Sequence, residues 1–350
     1  MRTKDLKTAI AVSQKARVPL MIWGGVGVSK TKQVRQYAAI TKQAVEVVVG
    51  SAVDPIDVVG HFIADRENFT TIQTKPHLYK TFENKKRGLI FLDEYNNSPR
   101  EVRAVFLKLI DERVLGCYQL SKKIHVVAAC NPSSVATNAE YLDLPNRARF
   151  VHVELQPDWV DLLDYIEERN ADSTLILKIL NTKFDKELYK NVFKEAAIYC
   201  SSNNLPINNA ELESETEGVL NFRTLDFFAR IYTVLLQNSL QNSPLAAEMA
   251  RGCVGQPSVG LLQHLKKFRP PAFNEILEDM SILLNREVFA FCVNEIINNL
   301  NRKEVLEIFK FLREQNASTE FTVLAQRVKE NVDKVEDIQI LKEIYNILNQ

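Results

Sequence analysis

Three observations predict an α/β architecture, a parallel sheet followed by a long helical region. Five apolar segments, near 19–23, 44–49, 89–92, 124–130 and 151–155, alternate with helical stretches, as in a parallel sheet built from strand-helix units. Three of the chain's 11 glycines crowd into Trp23-Gly24-Gly25-Val26-Gly27-Val28-Ser29-Lys30-Thr31, between the first apolar segment and an amphipathic stretch. After about residue 156 the apolar residues recur with helical period and no comparable buried strand appears.

Thr3 to Ala16 reads as a capped helix leading into the first strand. The glycine cluster that follows suits a polyphosphate. Glycines let the backbone N–H groups of Gly24, Gly25, Val26, Gly27, Val28 and Ser29 turn inward as an anion nest, and the next helix adds its positive end. Lys30 would reach the β and γ phosphates, and the Thr31 hydroxyl would sit where magnesium bridges them. The pattern G-x-x-x-x-G-K-[ST] is broken at one position: Ser29 stands where the last glycine belongs, adding a side chain where backbone approaches phosphate. Isolated glycine clusters are usually turns, so the nucleotide reading needs support from elsewhere in the chain.

That support comes from two later strands. Arg87-Gly88-Leu89-Ile90-Phe91-Leu92-Asp93-Glu94 is apolar throughout before its two carboxylates, as expected of a strand buried on both faces. Ligands bind at the carboxyl edge of open α/β sheets, so Asp93 and Glu94 would face the phosphates. Asp93 suits a magnesium ion, and Glu94 suits activation of the attacking water. The competing role is capping of the helix near Ser98 to Asp111. Ile124 to Cys130 is the next strand, ending in Asn131 and Pro132. Asn131 could donate to a γ phosphate or position the water, although Asn-Pro alone is more often a turn.

In this order and spacing, GGVGVSKT, GLIFLDE, VVAACN and NRARF resemble the AAA+ ATPases of the MoxR-like, dynein-related group. Asp54 to Gly60, Leu107 to Leu120 and Arg149 to Val153 resemble further elements of that group, so the resemblance spans roughly Pro19 to Leu155. It implies an AAA+ core over residues 1–170, a helical lid over 171–243 and a C-terminal helical extension over 244–350. It makes Lys30 and Thr31 the Walker A residues, Asp93 and Glu94 the Walker B residues, and Asn131 the first sensor, with ATP and magnesium as ligands. Arg149 matches the arginine finger that acts on a neighbouring subunit's nucleotide, with Arg147 as its rival; surface pairing with Asp143 or Glu140 is the bland alternative for both. Arg223, in Asn221-Phe222-Arg223-Thr224-Leu225, resembles the second sensor that binds nucleotide. The resemblance further implies a homo-oligomeric ring, taken as hexameric, that remodels a client in a chaperone-like way. A von Willebrand factor A domain protein is the partner often found with the group.

Composition bounds the remaining classes. The chain has 350 residues, 46% hydrophobic and 25% charged, with 44 basic and 44 acidic residues. Zero net charge gives no general attraction to nucleic acid or anionic membrane, and Lys85-Lys86-Arg87 and Lys266-Lys267 with Arg269 read as solvated faces. Five scattered cysteines argue against a disulfide framework or a zinc site, and the five histidines form no ligand cluster. No stretch has the length of a membrane span, and a cytoplasmic location is expected. Helical faces are expected at Trp159, Leu162, Leu163 and Ile166, at Leu175, Ile176, Ile179 and Leu180, and at Val192, Ala196 and Ile198. A last stripe, Phe289, Cys292, Val293, Ile296 and Ile297, should be core. Phe62, after the second strand, could grip a polypeptide but is expected to be a buried loop anchor. Two other functions remain open: a nucleotide-gated assembly scaffold with poor turnover, and a P-loop kinase, against which Asn131, Arg149 and the lack of an acceptor-binding motif count.

Overall fold

A computed structural model of the chain describes residues 1–134, 141–156, 173–208, 214–267, 273–284, 289, 292, 293, 296, 297, 299, 300, 303–331 and 338–349. The expected face at Trp159, Leu162, Leu163 and Ile166, and also Glu140 and Arg269, lie outside the described residues. The chain divides into two units, one of Met1–Phe184 with Ala196–Leu262, the other of Asp185–Glu195 with Gln263–Gln350.

In the first unit, α1 (Thr3–Ala16), β1 (Leu20–Trp23), α2 (Lys30–Ile40) and β2 (Ala44–Val49) are followed by α3 (Pro55–Val59). An antiparallel hairpin, β3 (Phe62–Asp65) with β4 (Thr70–Gln73), then precedes α4 (His77–Phe82), β5 (Gly88–Asp93) and α5 (Arg100–Glu112). A second hairpin, β6 (Val114–Leu115) with β7 (Tyr118–Gln119), leads to β8 (Ile124–Cys130), α6 (Leu144–Arg147) and β9 (Val151–Glu154). Five of these strands form one sheet in the order β2-β5-β8-β1-β9, and every pairing in it is parallel. They are the five expected from the sequence, displaced by no more than one residue at any end.

Burial explains their composition. All seven residues of the central strand β8 are buried, as are all of β1 and Gly88–Leu92 of β5, because helices cover both faces of the sheet. The edge strand β2 is only half-buried, which lets it carry Glu46. Trp23, Ile90, Leu92, Phe106, Val126 and Phe150 belong to one apolar cluster on the sheet. Trp23 pairs with Cys130 and Leu92 with Ala128, so the carboxyl ends of β1, β5 and β8 lie side by side.

Some local expectations change. Helix α1 has no side-chain cap; Arg2 occupies the cap position with extended backbone. Helix α5 starts at Arg100, after an extended Pro99, and neither Asp93 nor Glu94 caps it. The β3–β4 hairpin exposes Phe62 (65%), so Phe62 is not a buried anchor; Ile63 and Ile72 are also exposed, and Phe69 is exposed by 95%.

The rest of the first unit is helical: α7 (Ser173–Asn181), part of α8 (Lys186–Ser202), α9 (Phe222–Gln237), α10 (Pro244–Val254) and the first half of α11 (Ser258–Lys267). Asn221 and Thr224 form a reciprocal capping box that fixes the start of α9. Helix α10 packs on β9 through Gly252, where an added Cβ would stand 1.7 Å from the His152 carbonyl oxygen. On α8, Val192 and Ala196 are buried but Ile198 is exposed, because two residues turn a helix by about 200°.

In the second unit, α12 (Phe273–Glu278), α13 (Val305–Glu314), α14 (Ser318–Lys329) and α15 (Ile338–Asn349) surround their own core. Phe289, Cys292, Val293, Ile296 and Ile297 are buried there with Phe309 and Leu324, so the expected stripe is intramolecular core. No helix among the described residues is long and apolar enough to cross a membrane.

Candidate nucleotide site

Because the sheet is parallel, the segments following β1, β5 and β8 emerge along one edge. The Gly24 N–H donates to the Cys130 carbonyl at 3.2 Å, so the glycine loop leaves the sheet tied to the end of β8. Gly27 has φ of 81° and Ser29 φ of 64°. The Ser29 backbone is therefore left-handed at the start of α2, and its side chain makes no capping bond. This gives a physical meaning to the broken glycine pattern: the position needs a conformation that glycine takes freely and serine takes at a cost. A Cβ added at Gly25 or Gly27 would meet no protein atom within 4 Å, so neither glycine serves internal packing and the loop is open to a ligand. At Gly24, by contrast, a Cβ would press on Val28 and on the Leu155 carbonyl.

Lys30, buried at the first turn of α2, donates from Nζ to the carbonyls of Gly24 (2.7 Å) and Gly25 (3.1 Å) and to Asn131 Oδ1 (2.7 Å). Burial lowers its pKa, and Asp93 opposes that shift. Thr31 donates from Oγ1 to Asp93 Oδ2 at 2.5 Å. One hydroxyl and one carboxylate in contact at a strand end suit an octahedral cation that keeps waters and takes phosphate oxygens. Glu94 has φ of 52°, and its Oε2 accepts from the Ser51 hydroxyl just after β2. Asn96, fully buried, clamps Asn131 from below: Asn96 Nδ2 donates to the Asn131 carbonyl (2.8 Å) and Asn131 N–H to Asn96 Oδ1 (3.3 Å). Arg103 holds the Asn96 carbonyl at 3.1 Å in turn.

The arginines lie elsewhere. Arg147 is 1% exposed and donates to the Tyr141 hydroxyl and to the carbonyls of Ser214 and Glu217. Trp23 Nε1–H donates to His152 Nδ1 at 2.8 Å, so the imidazole proton is on Nε2, which donates to the Arg147 carbonyl at 2.8 Å. Arg149 instead donates from Nε to Asp111 Oδ2 (2.8 Å) and from Nη1 to the Pro145 carbonyl (2.5 Å). Among the described residues its acidic partner is Asp111 and not Asp143, which caps α6 through Asn146. Arg223 reaches the same carboxylate, Nη1 to Asp111 Oδ1 at 3.3 Å. Arg149 and Arg223 line one cavity of about 700 Å³ together with Pro19 and Arg113, whose Nε binds the carbonyl of Ile124, the first residue of β8. These are amino-terminal strand ends. The structure therefore brings Lys30, Thr31, Asp93, Glu94 and Asn131 together, and places Arg149 and Arg223 with each other at the opposite edge of the sheet.

Sequence reasoning passed over Ser51, Asn96 and Asp111. Asp111 lies inside the Leu107 to Leu120 element, but nothing local marks its role; only the juxtaposition of separate elements reveals all three.

A phosphate-loop α/β domain is the class that this fold and edge define. Residues 19–150 match the family model of the AAA domain (dynein-related subfamily), and this part of the chain is an AAA+ domain of that subfamily. Among solved structures, the chain is similar to a "putative ATPase" from Cytophaga hutchinsonii ATCC 33406 at 16% identity, covering 75% of this chain and 88% of that one with a TM-score of 0.47. No curated protein matches the chain.

Proposed function

We propose that the chain is an ATP hydrolase of the MoxR-like group that works as a homo-oligomeric ring of six subunits and remodels or activates a partner protein. The observation that carries the reading is the convergence of Lys30, Thr31, Asp93, Glu94 and Asn131 on one sheet edge beside an open glycine loop. In this reading the loop N–H groups receive the phosphates, and Lys30 exchanges its carbonyl partners for phosphate oxygens. Thr31 and Asp93 hold magnesium, which when bound neutralises charge on the β and γ phosphates. Glu94 takes the proton of the attacking water, and Asn131 orients that water or the γ phosphate.

The edge position of Arg149, 20% exposed where Arg147 is buried, supports a finger supplied to a neighbouring copy. Arg223 beside it would then serve the same neighbour's nucleotide. The exposed Phe62, Ile63, Phe69 and Ile72 of the β3–β4 hairpin support a client-gripping role. The client would be a polypeptide, with a von Willebrand factor A domain protein the partner suggested by resemblance, and the work would be done in the cytoplasm.

A second reading, a nucleotide-gated scaffold with poor turnover, is favoured by the strained Ser29. Steady-state hydrolysis measured against protein concentration separates them. Specific activity that rises with concentration and vanishes in Glu94→Gln supports the ring ATPase; tight binding with no turnover supports the scaffold.

A further inference from the structure

Two arginines from separate elements share one carboxylate. Arg149 precedes β9 and binds Asp111 Oδ2, while Arg223 lies in the first turn of α9 and binds Oδ1. Arg149 Nη2 has no hydrogen-bond partner among the described residues, and both guanidiniums face the cavity at the amino-terminal sheet edge. That cavity is also lined by Arg17, Arg113 and Lys122, with Glu112 as the other acid and Arg230 paired to Asp226. Two guanidiniums turned to one cavity repel each other, and a carboxylate between them offsets the repulsion. Asp111 is one-third exposed, so a stronger anion arriving from solvent can compete with it.

We propose that Asp111 is a positioning residue that sets Arg149 and Arg223 side by side as one anion clamp and yields both to the polyphosphate of a neighbouring copy. The proposal rests on the ring reading above. Asp111 then has two opposed effects. It holds the arginines in the geometry that meets phosphate, and it competes with phosphate for them. Asp111→Asn keeps the shape and removes the charge. It lowers the KM for ATP and lowers kcat, a split that simple loss of structure does not produce, since a loosened fold raises KM as it lowers kcat.

The deciding experiment uses the full chain carrying Lys30→Ala, so that the glycine loop is silenced, titrated with inorganic triphosphate by calorimetry. Adding Asp111→Asn raises triphosphate affinity by about threefold to fivefold, the scale of an ion pair of this exposure. Asp111→Glu, which keeps the charge, stays near the parent, and Arg149→Ala abolishes binding. Equal affinity with and without Asp111→Asn, or no triphosphate binding by any of these proteins, overturns the proposal. Absence of concentration-dependent hydrolysis in the wild type overturns the ring reading instead, and the titration still decides the role of Asp111.

Discussion

Lys30 Nζ stands 2.7 Å from Asn131 Oδ1, joining the helix after β1 to the end of β8, 101 residues further along the chain. The ammonium also binds the Gly24 and Gly25 carbonyls, so all three of its donors are aimed at the phosphate loop and its neighbour. Lys30→Ala removes the positive charge from the centre of the site. Nucleotide affinity falls by about 100-fold or more, while Glu94→Gln keeps affinity and loses about 10²–10⁴ in kcat, because that carboxylate acts on water. Fluorescent-nucleotide titration with a steady-state phosphate assay checks both. Normal hydrolysis by Glu94→Gln removes Glu94 as the base.

Ser29 stands at φ of 64° without a capping hydrogen bond. Glycine occupies that region without the roughly 1 kcal/mol cost borne by other residues. Ser29→Gly therefore raises unfolding stability by about 0.5–1 kcal/mol, less the entropy glycine adds to the unfolded chain, and tightens nucleotide binding. Urea unfolding and nucleotide titration check this; affinity unchanged or weakened assigns Ser29 no penalty.

The strands, and the polar residues at their carboxyl ends, were legible in the sequence for one reason. A strand buried on both faces must be apolar throughout, so Asp93 and Asn131 stand out where burial stops, and parallel pairing forces their ends onto one edge. The β3–β4 hairpin lacks that mark because its apolar side chains are exposed rather than alternating about a core. Asp111 was hidden for a different reason. On α5 it looks like any polar end of an amphipathic helix, and only the return of β9 and α9 brings two arginines to it. The motif position already favours Arg149 over Arg147, and the fold adds a physical difference between them: Arg147 is buried and spent on carbonyls, whereas Arg149 keeps 20% of its side chain exposed.

Ser51 ties the catalytic candidate to the end of β2, its hydroxyl donating to Glu94 Oε2. That hydrogen bond occupies one of the two carboxylate oxygens that could receive an attacking water. Ser51→Ala is expected to leave nucleotide affinity unchanged and to raise basal kcat about twofold to tenfold, by freeing that oxygen for water. Lower kcat at unchanged affinity would show instead that Ser51 holds Glu94 in its working position.

Arg149 lies across the sheet from Lys30, so in the proposed ring a defect in one should be cured by the other in trans. Arg149→Ala and Lys30→Ala are each expected to be inactive alone, since losing a finger costs about 10³–10⁵ in kcat. Mixed in equal amounts they should regain activity wherever an intact loop meets an intact arginine. Mixtures no more active than their components would place the finger elsewhere.

His152 is wholly buried between Trp23 and the Arg147 carbonyl, and burial lowers its pKa to about 4. The unfolded chain takes up a proton near the ordinary value of 6.5, whereas the fold resists it until about 4. Between those values the unfolded state binds more protons, so stability rises with pH there; its contribution is complete above about 6.5 and is lost progressively as pH falls toward 4. The loss is on the order of 3 kcal/mol, since each pKa unit corresponds to about 1.4 kcal/mol. His125, with its pKa lowered to about 3 by burial and by Arg113, acts in the same direction. His152→Gln isolates the first contribution, because glutamine can accept from Trp23 and donate to the Arg147 carbonyl but cannot titrate. Urea midpoints measured from about pH 7 down to about pH 4.5 should fall more gently for His152→Gln than for the wild type, the gap at neutral pH closing as acid is added. Parallel slopes for the two proteins would mean that His152 enters the unfolding equilibrium without changing its protonation.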